Sequence, residues 1–183
     1  MCGDHQKALG EIGEALDGVD STAFETACTL IANAGNVLLY GCGREGVQMR
    51  GLAMRLYHLG CRVGMVADMN APPLGPGDLF VVSAGPGELS TVTALMKVAK
   101  RDGAQVLFLT ATRMAQAAAL ADHVVVIPAQ TMANDQEEPQ SILPMGSVYE
   151  GALFMLFEMM ILRLRDKMDI TPDQMRLRHT NME

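Results

Sequence analysis

Apolar residues follow two rhythms along the chain. Near the N-terminus Leu9, Ile12 and Leu16 recur at helical spacing, and Phe24, Ala27, Cys28 and Ile31 form a second stripe, with Ser21 as its expected cap. From residue 36 onward, short continuous apolar runs alternate with helical stripes. The runs cover 36–40, 62–66, 79–82, 105–109 and 123–127. Helical spacing occupies 46–59, where Leu52, Leu56 and Leu59 share a face, then 88–101 and, briefly, 114–120. Runs without polar alternation suit strands covered on both faces. Strand alternating with helix predicts a parallel sheet with right-handed crossovers. The expected fold is α/β, a three-layer α/β/α sandwich whose five-stranded parallel sheet is doubly wound in a flavodoxin-like order.

Two stretches break the alternation. Residues 71–77 read as a turn-rich connection. Residues 129–143 form a polar loop with an acidic centre at Asp135, Glu137 and Glu138, long enough for a lid or an interface loop. A strong helix follows over 147–167. Its Leu153, Phe154, Leu156, Phe157, Met160, Ile161 and Leu164 cover more than half the circumference. One packed face needs less, so a homodimer or homotetramer is expected. Thr171 predicts the cap of a last short helix, with Pro172 in its first turn.

Composition narrows the function. The 183 residues fit a single domain. Lys plus Arg number 14 against 21 Asp plus Glu, a net charge of −7, which argues against nucleic acid or an anionic membrane as the main partner. No apolar run reaches the ~18–20 residues of a membrane span. The first residues are polar and acidic, unlike a signal peptide, so the expected location is cytoplasmic. Cys2, Cys28, Cys42 and Cys61 show no CxxC spacing and make no metal set with the four histidines. They read as reduced thiols, with Cys28 and Cys61 facing the core. Fifteen methionines and no tryptophan imply an adaptable core.

Candidate chemistry gathers at two glycine turns. Residues 41–46, GCGREG, lie between a strand and a helix. Glycine there lets a ligand approach the backbone, and the exposed N–H groups favour an anion. The spacing is that of a dinucleotide fingerprint, and Asp68 stands where a ribose-binding acid would fall. Residues 83–88, SAGPGE, make a second such turn. In a doubly wound sheet the first and third strands flank the switch point, so both turns face one crevice. A small ligand held by both loops fits this better than a dinucleotide. The plainer alternative is a pair of tight strand-to-helix turns.

GCGREG followed by AMRLYHLG, then GPGDLFVVSAGPGE, PMGSVYEGALF and RHTNME resemble the sugar isomerase (SIS) domain family, and within it the 6-phospho-3-hexuloisomerase branch. The resemblance runs from about residue 36 to the C-terminus. It implies a small-molecule sugar or sugar phosphate as ligand, dimers or tetramers with sites near subunit contacts, and neither metal nor nucleotide cofactor. The chain departs from the family in both turns. Family members usually carry GRSG where this chain has Gly43, Arg44, Glu45 and Gly46. They carry SGSGET, whose hydroxyls bind the sugar phosphate, where this chain has Ala84, Gly85, Pro86, Gly87, Glu88 and Leu89. Three hydroxyls are lost, and Pro86 also lacks an N–H. Each hydrogen bond to a charged group is worth about 1.5–3 kcal/mol. Ser83, Ser90, Thr91, Arg44 or the helix N-terminus are the available compensation. The expected substrate-binding set is therefore Gly43, Arg44, Glu45, Ser83, Gly85, Gly87, Glu88, Ser90 and Thr91.

Shifting a carbonyl between adjacent sugar carbons needs a base to move a proton and a group to polarise the enediolate oxygen. The resemblance places the base at Glu150. Read without it, Ser147 and Glu150 have the spacing of a helix capping box. The resemblance also implies that His179 reaches a neighbouring subunit's pocket and assists ring opening; a neutral imidazole suits proton transfer near pH 7. Arg44 reads either as a ligand to an anion or carbonyl oxygen, or as a solvated or Glu45-paired cation. The leading expectation is an isomerase of a phosphorylated ketose, most like 3-hexulose 6-phosphate to fructose 6-phosphate. The alternatives are a non-catalytic binder of a sugar derivative, an isomerase of a sugar lacking the usual phosphate contacts, and a dinucleotide site.

Overall fold

The computed structural model describes residues 3–135 and 141–182. Its elements run α1 (Asp4–Asp17), α2 (Ser21–Asn33), β1 (Val37–Gly41), α3 (Gly43–Leu59), β2 (Val63–Met65), β3 (Leu79–Ser83), α4 (Ser90–Arg101), β4 (Gln105–Thr110), a 3₁₀ turn (Gln116–Leu120), β5 (His123–Val126), α5 (Ser147–Lys167) and α6 (Pro172–Arg176). The five strands form one parallel sheet in the order β2-β1-β3-β4-β5. This is the expected doubly wound arrangement, with its switch point between β1 and β3.

Alternate strand residues face opposite layers, and both layers are dry. Val37, Leu39, Leu79, Val81, Leu107, Leu109 and Val125 meet the layer of α1, α2, α3 and α5. Leu38, Phe80, Val82, Val106 and Phe108 meet α4 and the 3₁₀ turn. Double coverage explains why the strand sequences lack polar alternation. Cys28 is buried in the first layer and Cys61 is half-buried against it. Burial pushes the Cys28 thiol up to about 11, with Glu25 adding to the rise.

Several boundaries differ from the sequence reading, each for a local reason. The cap of α2 is Asp20 rather than Ser21: its carboxylate accepts the Ala23 N–H at 2.7 Å. Helix α3 begins at Gly43, three residues early, straight out of β1. That tight departure brings residue 46 so close to the strand that a Cβ there would lie 2.5 Å from the Gly41 carbonyl oxygen, so only glycine fits. Helix α4 begins at Ser90 rather than at residue 88, because Leu89 stays extended. The expected short helix at 114–120 is a 3₁₀ turn from Gln116. Thr171 caps α6 with Pro172 in its first turn, as expected, and Gln174 completes a capping box. Glu137, Glu138 and Cys2 lie outside the described residues. Among the described residues no helix is long and apolar enough to cross a membrane.

Helix α5 has the expected bounds and packs on α3, α1 and α2. Tyr149, Leu153, Leu156, Phe157, Met160, Ile161 and Leu164 are buried on its inner side. Phe154, Met155, Met159 and Leu162 remain on its outer side, with Phe154 55% exposed. The two faces predict opposite responses. Leu153→Ala should lower unfolding free energy by about 2–5 kcal/mol in denaturant titration. Phe154→Ala should change the stability of an isolated subunit by less than about 0.5 kcal/mol.

Candidate active site

A crevice of about 360 Å³ opens where the turns after β1 and β3 meet the start of α5. Gly43, Arg44 and Glu45 come from the first turn and Pro86 and Leu89 from the second. Tyr149 and Glu150 come from α5, and Thr131 and Met132 from the segment after β5. The parallel pairing of Gly41 with Ser83 sets the two turns side by side. This is the ligand position expected outside the carboxyl ends of a doubly wound sheet.

Glu45 sits at the back of the crevice and is only 8% exposed. Both its carboxylate oxygens accept the Gly85 N–H at 3.1 Å. One of them also accepts the Ser83 hydroxyl. The Ser83 oxygen in turn lies 3.1 Å from the Tyr149 hydroxyl. A Cβ at residue 85 would lie 2.9 Å from the Tyr149 ring and 3.2 Å from Glu45, so the second turn must carry glycine there. Burial pushes Glu45 above the usual carboxylate range, although Ser83 and Gly85 pull it back. Burial next to Glu45 holds the Tyr149 phenol well above its ordinary value, so it is a neutral donor.

Arg44 bridges the first turn to α5. Its Nε lies 2.8 Å from Glu150, and its terminal nitrogens donate to the Ser147 hydroxyl and the Met145 carbonyl. It pairs with Glu150 and not with Glu45. The capping box that the spacing of Ser147 and Glu150 allows does not form. The cap of α5 is Gly146, at φ 79°, and Ser147 donates instead to the Pro144 carbonyl. Glu150 is thereby released from the helix end and lines the crevice, with its side chain 16% exposed. Burial raises its carboxyl above the usual range; Arg44 opposes that rise and Glu45 adds to it. A carboxylate of this kind, beside a cation and partly dry, is suited to taking and returning a proton.

The sequence matches the SIS domain over residues 30–155, more than half its length. The chain belongs to the SIS domain family. It is 32% identical to the 3-hexulose-6-phosphate isomerase of Mycobacterium gastri, over 94% of this chain and 86% of the relative. It is likewise 32% identical to the enzyme of that name from Methylomonas aminofaciens, over 97% and 94%. Among solved structures, a Methanococcus jannaschii protein with an inferred function of 3-hexulose-6-phosphate isomerase superposes with a TM-score of 0.83. It is 20% identical, with 96% of this chain and 98% of that chain covered.

The SIS crevice gathers only part of the expected residue set. Gly43, Arg44, Glu45 and Glu150 line it, and Ser83 and Gly85 stand directly behind it through Glu45. Gly87 is buried within the second turn, against Thr112 and Ala115, while Glu88, Ser90 and Thr91 are exposed and do not line the crevice. Asp68, the candidate ribose acid, accepts the Met65 N–H and so closes the turn after β2. His179 lies elsewhere, in a cavity of about 420 Å³ with Met54, His58, Leu162 and Arg176. Its ring stacks on His58 at 5.3 Å, and Arg178 ties the tail to α3 by donating to the His58 carbonyl at 3.2 Å. Within one SIS subunit, then, His179 does not meet Glu150. Tyr149 and Thr131 were missed from sequence. Tyr149 reads there as one more apolar residue of α5, and the polar loop around Thr131 gives no signal.

Glu45 makes stability depend on pH in a defined sense. Its pKa is raised on folding, so its favourable contribution is full below the ordinary carboxylate value and is lost as pH rises through the raised one. Glu45→Gln keeps an acceptor for Gly85 and removes the buried charge. The variant should melt higher than the parent at pH 7.5, and the gap should close as pH falls toward 4 in thermal scans. A gap that widens toward acid would show that Glu45 is instead held ionised by its donors.

Proposed function

We propose that this protein is a sugar isomerase that moves a carbonyl between adjacent carbons of a ketose through an enediolate, with Glu150 as the base. The observation that carries this reading is the placement of Glu150: uncapped, half-buried and beside Arg44 in the crevice. The relatives named 3-hexulose-6-phosphate isomerase make 3-hexulose 6-phosphate to fructose 6-phosphate the first reaction to assay. In that reaction Glu150 removes the proton from C2 of the 3-ketose, giving the 2,3-enediolate. The proton then returns to C3 as the carbonyl forms at C2, so no atom is gained or lost. Arg44, already 2.8 Å from Glu150, supplies positive charge beside the developing oxyanion. A second reading keeps the chemistry and drops the phosphate; it is favoured by the absence of side-chain hydroxyls at Ala84, Pro86 and Leu89.

Glu150→Gln tests the base. The carboxamide cannot take up the proton, so carbonyl shift and deuterium uptake from heavy water should both fall by about 10²–10⁴-fold, with folding and sugar binding retained. An unimpaired Glu150→Gln variant removes Glu150 as the base. A folded wild-type protein that binds sugar but shows neither conversion nor exchange supports a non-catalytic SIS binding module.

The reading also assigns His179 a role in ring opening, delivered from a second copy of the chain. The apolar outer strip supports such pairing: Phe154 and Leu162 on α5, Met54 and Tyr57 on α3, all exposed. Light scattering at micromolar concentration should give a mass of at least two subunits. Phe154→Asp should shift it toward one subunit and, if His179 acts across the contact, lower turnover in step.

A further inference from the structure

We propose that Glu45 is a second catalytic residue: its carboxyl moves the hydroxyl proton between the two substrate oxygens while Glu150 moves the other proton between the two carbons. This rests on the isomerase reading above. A carbonyl shift relocates two hydrogens. In a 3-ketose the C2 hydroxyl must lose its proton and the C3 oxygen must gain one, and Glu150 accounts only for the hydrogen on carbon. The second transfer needs a group that can give up a proton and take it back. Among the described residues, the titratable side chains lining the crevice are Cys42, Arg44, Glu45, Tyr149 and Glu150. Arg44 stays charged and is paired with Glu150 at 2.8 Å. The Tyr149 phenol is held neutral by burial and by Glu45. Cys42 turns its Sγ toward the Tyr40 hydroxyl, 3.7 Å away. Asp135, from the loop after β5, accepts the Met145 N–H at 2.9 Å and does not line the crevice. Glu45 remains.

Its surroundings suit the task. Glu45 lines the crevice with the little surface it shows, and burial favours its protonated form. Behind it stand donors for the anion. The Tyr149 hydroxyl meets Ser83, the Ser83 hydroxyl donates to one Glu45 oxygen, and the Gly85 N–H is shared by both oxygens at 3.1 Å. Burial and donors oppose each other, so the carboxyl is balanced between the two forms that one turnover requires of it. The steps also balance. Glu150 takes the proton from C2, the C–H pair becomes the C2–C3 double bond, and the C3 carbonyl pair moves to its oxygen, which takes the proton of Glu45. The C2 hydroxyl then gives its proton to Glu45, its oxygen pair forms the C2 carbonyl, and C3 takes the proton from Glu150. Glu150 ends ionised and Glu45 protonated, as they began. The two oxygens of a cis-enediol are adjacent, so one carboxyl serves both.

The test is Glu45→Gln, which keeps an acceptor for Gly85 and cannot exchange the proton. The substrate, 3-hexulose 6-phosphate, is incubated in heavy water. Fructose 6-phosphate formed is measured beside deuterium at C2 of the recovered 3-ketose. Return of the enediolate to the starting ketose needs only Glu150, because the C2 hydroxyl keeps its proton; passage to product needs that proton to move. Conversion should therefore fall by about 10²–10⁴-fold, and the ratio of exchange to conversion should rise by about tenfold or more over wild type. A merely structural role lowers both rates together, so an unchanged ratio overturns the proposal while leaving Glu150 as the base. Glu45→Ala gives an independent reading. Formate, the smallest carboxylate, fits the vacated position and should raise conversion by that variant about tenfold or more. Conversion indifferent to formate also overturns the proposal. A folded wild type with neither conversion nor exchange removes the isomerase reading, and the role of Glu45 with it.

Discussion

The parallel pairing of β1 with β3, Gly41 opposite Ser83, is the constraint on which the rest of the site depends. Neighbouring strands are about 4.8 Å apart. Two strand-to-helix turns that are 40 residues apart in sequence are therefore forced into contact. Glu45, in the first turn of α3, can span that gap and reach the Gly85 backbone and Ser83. A strand order that separated β1 from β3 would leave two ordinary glycine turns and a solvated glutamate. The hydrophobic layers maintain this register: Leu39 and Val81 are buried on one side and Leu38 and Phe80 on the other. A slip of one residue would exchange the two sets between faces.

The third wall of the crevice is fixed by backbone conformation. Met145 and Gly146 both take positive φ, 58° and 79°, just before α5. Together they turn the chain sharply into the helix, and Gly146 rather than Ser147 becomes its cap. A Cβ on Gly146 would lie 3.1 Å from the Met132 nitrogen, so the turn also packs closely against the loop after β5. The Met145 carbonyl and the Ser147 hydroxyl are then presented to Arg44. Arg44 thus holds Glu150 in place while joining the first turn to α5. Ground-state strain in a non-glycine residue at positive φ is tolerated where the surroundings fix it, and such positions gather at functional sites.

Much of this was legible in the sequence, and the misses have physical causes. The parallel sheet and its order follow from uninterrupted apolar runs separated by helices, because a strand covered on both faces has no polar side to show. Burial of Glu45 is not legible there, because the apolar stripe starts the helix at residue 46 and assigns Gly43 to Glu45, its first turn in the structure, to the preceding loop. What the stripe cannot show is the partner, since Gly85 and Ser83 arrive through sheet order alone. The capping-box spacing of Ser147 and Glu150, the reading open without the resemblance, is not used because a cap depends on backbone dihedrals one residue earlier, and glycine in the left-handed region moved it. Position 179 shows the opposite limit. The resemblance implied a role across subunits, while the chain's own contacts tie the tail to α3 through Arg178.

The departures from the family's two motifs are better understood as one change than as four. Glu45, where the resembling family usually carries serine, places a carboxylate on the Gly85 N–H. At position 84, which is fully buried, an unpaired hydroxyl would cost about 1–3 kcal/mol. Alanine there removes the cost. Without Glu45, Gly85 would be left with an unsatisfied buried donor. Glu45, Ser83, Gly85 and Tyr149 thus form one connected polar network behind the crevice. The second glycine turn, without side-chain hydroxyls at positions 84, 86 and 89, is thereby tied to the first through the carboxylate of Glu45.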